Sequence, residues 1–370
     1  MILKISDRFK NRRVTYFNDV SITLKYDAVA STFQLNYYFD PDNVEHKELS
    51  CIGHYHLCEL FDNENQELVL TGVILSIRFV SKAQKSLVAI SGYSLPGVLE
   101  DCEIPPFDRF GKEVPGYLQS DGLKLREIVQ KFAALFSVNV VIHSSAASDM
   151  ESEYTQDEAK ETQSVKSYFA SLVSQKNVIM THDQNGNLIF TKPVKTKPIF
   201  HFEPDALPNV TMTLDFNGQQ LHSVYWVFAQ QDIEDEAQSN ESEALPQPYI
   251  PNRNHVFRPH VASMSSKSDE DLDTDKAAKN LRAKELRALS LTIEIEGWNL
   301  DGKIVRPGAI ISVTNKEVYL YRKTDFFVES VELKRDAEKK IAILKCVPPE
   351  VYTGDEPVYP FKGYNLHPIE

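Results

Sequence analysis

The sequence predicts a β-rich α+β fold in which two β-modules bracket a small α/β insertion. Near both ends, apolar and polar residues alternate with the period of half-buried antiparallel strands. The middle instead carries apolar residues at helical spacing. The chain has 370 residues, 42% of them hydrophobic and 25% charged, which is typical of a globular protein with about two to four domains.

The first β-module covers residues 1–100. Its apolar runs are separated by turn signals such as Asp40–Asn43. The predicted strands lie at 20–24, 33–39, 68–80 and 87–93. Because one face of each strand is apolar, we expect an antiparallel sandwich or barrel with one buried face.

The α/β insertion covers residues 101–200. Prolines and glycines at 103–122 predict a loop, and Ser120 or Asp121 is expected to cap the helix that follows. The predicted elements are helices at 125–136 and 165–173, strands at 138–142, 178–181 and 188–191, and a polar loop at 144–163. Asp183–Asn187 has the composition of a hairpin turn between the last two strands.

Residues 201–275 are predicted to hold returning strands and a long irregular loop. The strands lie at 210–216 and 221–229 and are expected to complete the first β-barrel. The stretch 232–244 carries six acids and no base, and 245–260 carries four prolines. That composition favours a long acidic and proline-rich loop.

Residues 276–370 are predicted to form a helix followed by a second β-module. The helix covers 276–289 and is rich in Lys and Arg. The strands that follow are predicted at 291–296, 304–313, 318–322, 326–333 and 341–347.

Charge and cysteine content restrict the function classes. The net charge is −13, which disfavours a nucleic-acid-binding protein, because such proteins bind phosphates with Lys and Arg. We see no apolar signal segment near Met1 and no apolar run long enough for a membrane helix. Four cysteines in a chain of this length predict reduced thiols rather than a disulfide framework.

Cys51, His54, His56 and Cys58 are the best metal candidates in the sequence. On a strand, the two histidines and Cys58 would share one face, and Cys51 would point to the other. A zinc site needs ligands that converge on one point, and no second Cys/His pair has a fitting spacing. We therefore favour a strand with polar residues outside and small thiols packed inside.

Paired carboxylates could indicate a glycosidase, and Glu100, Asp101 and Glu103 are the candidates. Such enzymes hold two carboxyl groups across a cleft, usually from different elements, so acids in a single turn are a poor match.

Phosphate-binding glycine loops, zinc-protease helices and hydrolase nucleophile elbows are missing from the sequence. The basic helix 276–289 could contact nucleic acid, but a solvated face or docking on an acidic neighbour is favoured. We assign no catalytic, cofactor-binding or metal-ligating residue and expect no cofactor.

Two segments resemble a known family. Ile90–Pro106 reads ISGYSLPGVLEDCEIPP and resembles the segment that closes the first β-module in the baseplate hub proteins of Mu-like phages, the 43 kDa tail protein family. Ile295–Val313 reads IEGWNLDGKIVRPGAIISV and resembles the strand–turn–strand of that family's last β-barrel, with Val305 where the family often has Trp. The order of elements also agrees over nearly the whole chain.

The resemblance implies a structural role rather than an enzymatic one. It implies two similar tube-type β-barrels per chain and a homotrimer around a central channel. Such a hub is expected to join the hexameric tail tube to the trimeric central spike, with tail-tip and tape measure proteins as further partners. Related architectures occur in contractile-tail hubs and in the type VI secretion spike. DNA would pass through without sequence-specific binding, and no stable membrane insertion is expected.

Two alternatives remain open at this point. One is a tail-associated cell-wall hydrolase, and the other is a carbohydrate-binding receptor-recognition tail protein. Only two tryptophans are present, which disfavours an aromatic glycan platform. The expected location is the virion tail, after assembly in the bacterial cytoplasm.

Overall fold

The computed structural model describes residues 1–6, 11–81, 86–154, 158–204, 208–230, 244–247, 256–265, 274–356 and 361. The chain divides into two compact units, each built from three chain segments. The first unit comprises Met1–Val194, Ile295–Gly308 and Glu329–Leu344, and the second comprises Lys195–Glu294, Ala309–Val328 and Lys345–Glu370.

The regular elements are numbered along the chain. The strands are β1 Ile2–Ser6, β2 Asn11–Val14, β3 Asp19–Lys25, β4 Thr32–Tyr38, β5 Leu57–Phe61, β6 Leu68–Val80, β7 Leu87–Ser94, β8 Leu123–Lys124, β9 Val140–Ile142, β10 Glu153–Tyr154, β11 Ile179–His182, β12 Leu188–Thr191, β13 His201–Phe202, β14 Thr211–Phe216, β15 Val224–Gln230, β16 Leu245–Pro246, β17 Pro259–Ser265, β18 Leu289–Glu296, β19 Asn299–Leu300, β20 Lys303–Ile304, β21 Ile310–Asn315, β22 Leu320–Arg335 and β23 Lys340–Val347. The α-helices are α1 Val44–Leu49, α2 Val98–Asp101, α3 Leu125–Leu135, α4 Val165–Val173, α5 Thr274–Lys284 and α6 Glu350–Thr353.

The first unit is dominated by an antiparallel sheet in the order β22, β3, β4, β7, β6, β5, β1, β2. Val20, Ile22 and Leu24 of β3 are buried, and the residues between them are not, as the alternation predicts. The end of β22, Ser330–Arg335, pairs with β3. The strands predicted at 210–229 lie in the second unit, and the predicted domain boundaries and barrel closure stay predictions.

The insertion folds as its periodicity predicts, with α3 and α4 packed on the sheet β11–β12–β9. The apolar face of α3 buries Ile128, Val129 and Phe132. The expected helix cap is wrong, because α3 begins after Lys124, whose backbone N–H donates to the Glu127 carboxylate at 2.9 Å. Ser120 is instead buried and accepts a 2.7 Å hydrogen bond from Tyr168.

The second unit contains a sheet in the order β14, β18, β23, β22, β21, β13. A separate three-stranded sheet of this unit pairs β15 in parallel with β17 and antiparallel with β16. The basic segment forms α5 and a 3₁₀ turn at Glu285–Ala288, close to the prediction. Most of the acidic stretch, 231–243, lies outside the described residues.

Several elements depart from the prediction. The helix α1 and the strands β1 and β2 were not expected, since they are short and their patterns are weak. The strand favoured around Cys51–Cys58 begins only at Leu57, as β5. The runs 318–322 and 326–333 form one strand, β22. The run 304–313 is interrupted before β21, because Pro307 lacks a donor and Gly308 takes a φ of +91°.

The β-rich α+β class with an inserted α/β segment is confirmed. All four cysteines are free thiols, two of them buried. Within the described ranges, no helix has the length and apolar character that crossing a membrane requires.

Candidate functional site

The segment Ile90–Pro106 is a structural closure of the first unit's sheet. Ser94 is fully buried, and its hydroxyl accepts a 2.9 Å hydrogen bond from the Ser31 backbone N–H. The Ser94 backbone N–H in turn donates to the Ser31 carbonyl at 2.8 Å. The Ser31 hydroxyl in turn accepts from Lys25 N–H at 3.1 Å. These bonds satisfy buried polar groups at the end of β7, so the role of Ser94 is structural.

The glycines of this segment let neighbouring backbone and side-chain atoms approach closer than any other residue would allow. A Cβ on Gly92 would lie 1.8 Å from the Val73 carbonyl oxygen, and one on Gly97 would lie 2.4 Å from the Tyr93 ring. The Tyr93 hydroxyl donates to Asp101 at 2.8 Å. Burial and this bond raise the pKa of Tyr93. The glycines and the tyrosine of this segment therefore serve its packing.

The second segment, Ile295–Val313, is anchored by Trp298. Its ring is 1% exposed, and its Nε1–H donates to the Lys334 carbonyl at 3.1 Å. The Lys340 ammonium lies 4.7 Å from the ring centroid and 2.9 Å from the Asp62 carboxylate. The tryptophan thus packs against the ion pair of Lys340 and Asp62 inside the first unit.

The turn and the bend of this segment also have structural causes. Asp301 and Gly302 have φ of +51° and +77°, as the predicted two-residue hairpin turn requires. The Arg306 guanidinium donates to the Leu68 carbonyl at 2.6 Å. A Cβ on Gly308 would lie 2.9 Å from the Tyr26 ring. Both motifs identified in the sequence are therefore packing motifs.

The predicted shared face of His54, His56 and Cys58 is wrong. The strand β5 begins only at Leu57, so the two histidines lie in the irregular segment before it. Their rings lie 5.5 Å apart edge to face. Cys58 is 1% exposed, and burial raises the pKa of its thiol to about 12. In the described part of the chain, these residues do not converge as metal ligands.

Two of the three carboxylates considered for hydrolysis have local side-chain partners, and the third acid is held through its backbone. Glu100 lies 3.0 Å from Lys166, and Asp101 accepts from Tyr93. Glu103 forms a backbone bridge with Ser164, the residue that caps α4. The three acids therefore serve the junction between the sheet and the insertion.

The basic helix uses part of its charge internally. Arg282 is 3% exposed, donates to the Pro246 carbonyl at 3.0 Å and lies 2.5 Å from Glu356. Arg287 donates to the Tyr352 hydroxyl at 2.9 Å and lies over its ring. These cations hold the second unit together and do not form a phosphate-binding stripe.

The second unit contains a polar cluster that the sequence patterns did not indicate. His222 precedes β15, His260 lies on β17, and Glu285 begins the 3₁₀ turn after α5. The parallel register places Tyr225 of β15 opposite His260. The residues His222, His260 and Glu285 are separated by long stretches of chain, so no motif spacing could have identified the cluster.

The carboxylate of Glu285 is the centre of this cluster. Its Oε1 lies 2.6 Å from His260 Nδ1 and 2.9 Å from His222 Nδ1. Its Oε2 accepts from the Tyr225 hydroxyl at 2.6 Å and from the His222 backbone N–H at 3.0 Å. Burial opposes ionisation of Glu285, but hydrogen bonds from Tyr225, His222 and His260 outweigh it and hold its pKa below the usual value.

Exposed apolar side chains mark candidate assembly surfaces in each unit. In the first unit, Ile52 and Tyr55 are 80% and 71% exposed in the turn before β5. In the second, Phe257 just before β17 and Val261 on β17 are 70% and 60% exposed. Among the described residues, β17 is hydrogen-bonded to a strand on one side only. Clustered apolar residues at a sheet edge are typical of protein contacts.

Comparison with known proteins shows which structures share this fold. Neither a protein-family model nor a curated protein matches the sequence. The structure is similar to the 43 kDa tail protein of prophage MuSo2 from Shewanella oneidensis, with a TM-score of 0.73, 16% identity, and coverage of 95% of this chain and 99% of that one.

Two further structures support the same architecture. A tail protein from Neisseria meningitidis matches with a TM-score of 0.71 and 18% identity, over 96% of this chain and 98% of that one. A type VI secretion system component from E. coli matches with a TM-score of 0.54 and 9% identity, over 97% of this chain and 80% of that one. The chain therefore has the fold of prophage tail proteins, and the resemblance predicted from its sequence is confirmed at the level of the fold.

Proposed function

We propose that this chain is a structural subunit of a phage or prophage tail baseplate. One observation carries the proposal: the similarity to the Shewanella tail protein extends over 95% of this chain and 99% of the other. A tail-protein fold thus accounts for 95% of the chain, and the two sequence segments that resemble the family serve its packing.

The finer proposal is a homotrimeric hub around a central channel, located in the virion tail. Such a ring would join the tail tube to the central spike, with tail-tip and tape measure proteins nearby. The net charge of −13 per chain supports a channel that passes DNA, because negative walls do not retain phosphate. The exposed apolar residues of both units supply surface for contacts between subunits.

Light scattering of the purified chain across a concentration series tests the trimer. We expect a mass of about 126 kDa, three times the 42.1 kDa of one chain. Electron micrographs of that species should show rings with a central hole. A chain that stays monomeric, both alone and in tail-like particles containing it, would contradict the hub.

Paired substitutions test which surface makes the subunit contacts. The variants are Ile52→Ser with Tyr55→Ser, and Phe257→Ser with Val261→Ser, each checked for folding by circular dichroism. We expect at least one pair to reduce the mass to that of a single chain. An unchanged mass in both would exclude these surfaces as the interface.

An enzymatic role is tested separately by zymography on peptidoglycan. The carboxylates of Glu100 and Asp101 have local partners, and all three acids lie within one short segment, so we expect no clearing by the purified protein. Clearing that a single Glu→Gln substitution abolishes would favour the hydrolase.

A further inference from the structure

We propose that His222, His260 and Glu285 form a binding site for a divalent metal ion of the zinc class. This site lies within the second unit and is independent of the proposed tail function. It departs from the sequence-based expectation that the chain has no metal ligand. The inference rests on the convergence of three ligand atoms from three distant segments.

The donor atoms of the three side chains converge on one point and lie at hydrogen-bond distance from one another. Both Nδ1 atoms lie within 2.9 Å of Glu285 Oε1, and the three ligand atoms lie within 4.8 Å of one another. Ligands of a tetrahedral zinc ion lie about 3.4 Å apart for bonds of about 2.1 Å. A small outward movement of the two rings would therefore admit the ion between the three atoms.

The second carboxylate oxygen is held by other groups. Tyr225 and the His222 backbone both donate to Glu285 Oε2, while His260 Nδ1 contacts Oε1 and His222 Nδ1 lies 2.9 Å from each oxygen. Such outer hydrogen bonds orient a ligand and tune its basicity. An imidazole that binds a metal ion through Nδ1 carries its proton on Nε2, so both rings must adopt that tautomer in the bound state.

The donor set also selects the class of metal. Two imidazole nitrogens and one carboxylate oxygen suit zinc and similar transition metals, whereas calcium and magnesium require oxygen ligands. The side chains of His222 and His260 are 29% and 30% exposed, so solvent can reach the site and supply a fourth ligand. A bound ion would cross-link the start of β15, β17 and the turn after α5.

The direct test is titration of the chelator-treated full chain with Zn²⁺ alone, in competition with a chromophoric chelator. We expect one ion per chain and no comparable binding of Mg²⁺. The variants His222→Ala and His260→Ala should weaken the affinity about 100-fold or more, given that even outer-shell substitutions cost 10- to 100-fold. The exposed His54→Ala is the matched control and should bind as the wild type does.

A second measurement needs no variant. Cobalt(II) bound at a site with two imidazoles and a carboxylate should show the intense visible absorption of low-coordinate geometry. Zn²⁺ should also raise the unfolding temperature of the wild type, because a ligand that binds only the folded state stabilises it. Failure of the wild type to bind Zn²⁺, or equal affinity in the folded His222→Ala and His260→Ala variants, would overturn the site and leave a hydrogen-bonded network.

Discussion

Replacement of Lys340 by methionine should strongly destabilise the first unit. The Lys340 ammonium lies 2.9 Å and 3.1 Å from the two carboxylate oxygens of Asp62, whose side chain is 0% exposed. Methionine can fill the space of the aliphatic stem, but it leaves the Asp62 charge buried without its partner. Removing one member of a buried ion pair costs about 3–5 kcal/mol.

The contribution of the pair can be separated from that of packing. The double variant Lys340→Met with Asp62→Asn removes the uncompensated charge and should recover most of the loss. Lys4→Met is a matched control, because Lys4 and Glu59 pair at 2.7 Å with side chains 36% and 30% exposed. Such an exposed pair contributes about 1 kcal/mol or less.

The assay is urea unfolding at neutral pH followed by tryptophan fluorescence. Trp298 lies beside Lys340 and reports on the first unit, whereas Trp226 lies in the second. All variants should therefore be made in a Trp226→Phe background. A midpoint for Lys340→Met that matches the Lys4→Met midpoint would refute the reasoning that the Asp62 carboxylate depends on this ammonium.

Three further predictions concern other groups. Gly308→Ala should lower thermal stability more than Gly53→Ala: both have positive φ, but only Gly308 faces a ring, that of Tyr26 at 2.9 Å. Equal losses would contradict this. Burial raises the pKa of Cys58 from 9.0 to about 12, so mass-mapped alkylation at pH 8 should be about 1000-fold slower than for an ordinary thiol. Rapid native labelling would refute it. Burial also raises the pKa of Glu350, so its folded form keeps a proton that the unfolded chain releases. Stability should fall as pH rises through that pKa, and Glu350→Gln should reduce this loss in denaturant titrations.

Local patterns determined much of the secondary structure before any packing was known. The alternation at β3 identified Val20, Ile22 and Leu24 as buried, and helical spacing identified the apolar face of α3. The Asp183 turn was also predictable, since its carboxylate accepts from the Asn185 and Asn187 backbone N–H groups at 2.9 Å. These features depend on interactions within a few residues, which is why a single sequence reveals them.

The tertiary structure alone decided which distant segments meet. The strands β1 and β5 are short, and they are stabilised by pairing with each other and with β6. The pairing of β22 with β3 joins residues about 300 positions apart and has no signature in either strand. The same holds for His222, His260 and Glu285, which converge only because β15 and β17 pair in parallel and α5 ends beside them. The sequence by itself determined the local periods and turns, whereas side chains from separate elements were brought together by packing, which no local spacing encodes.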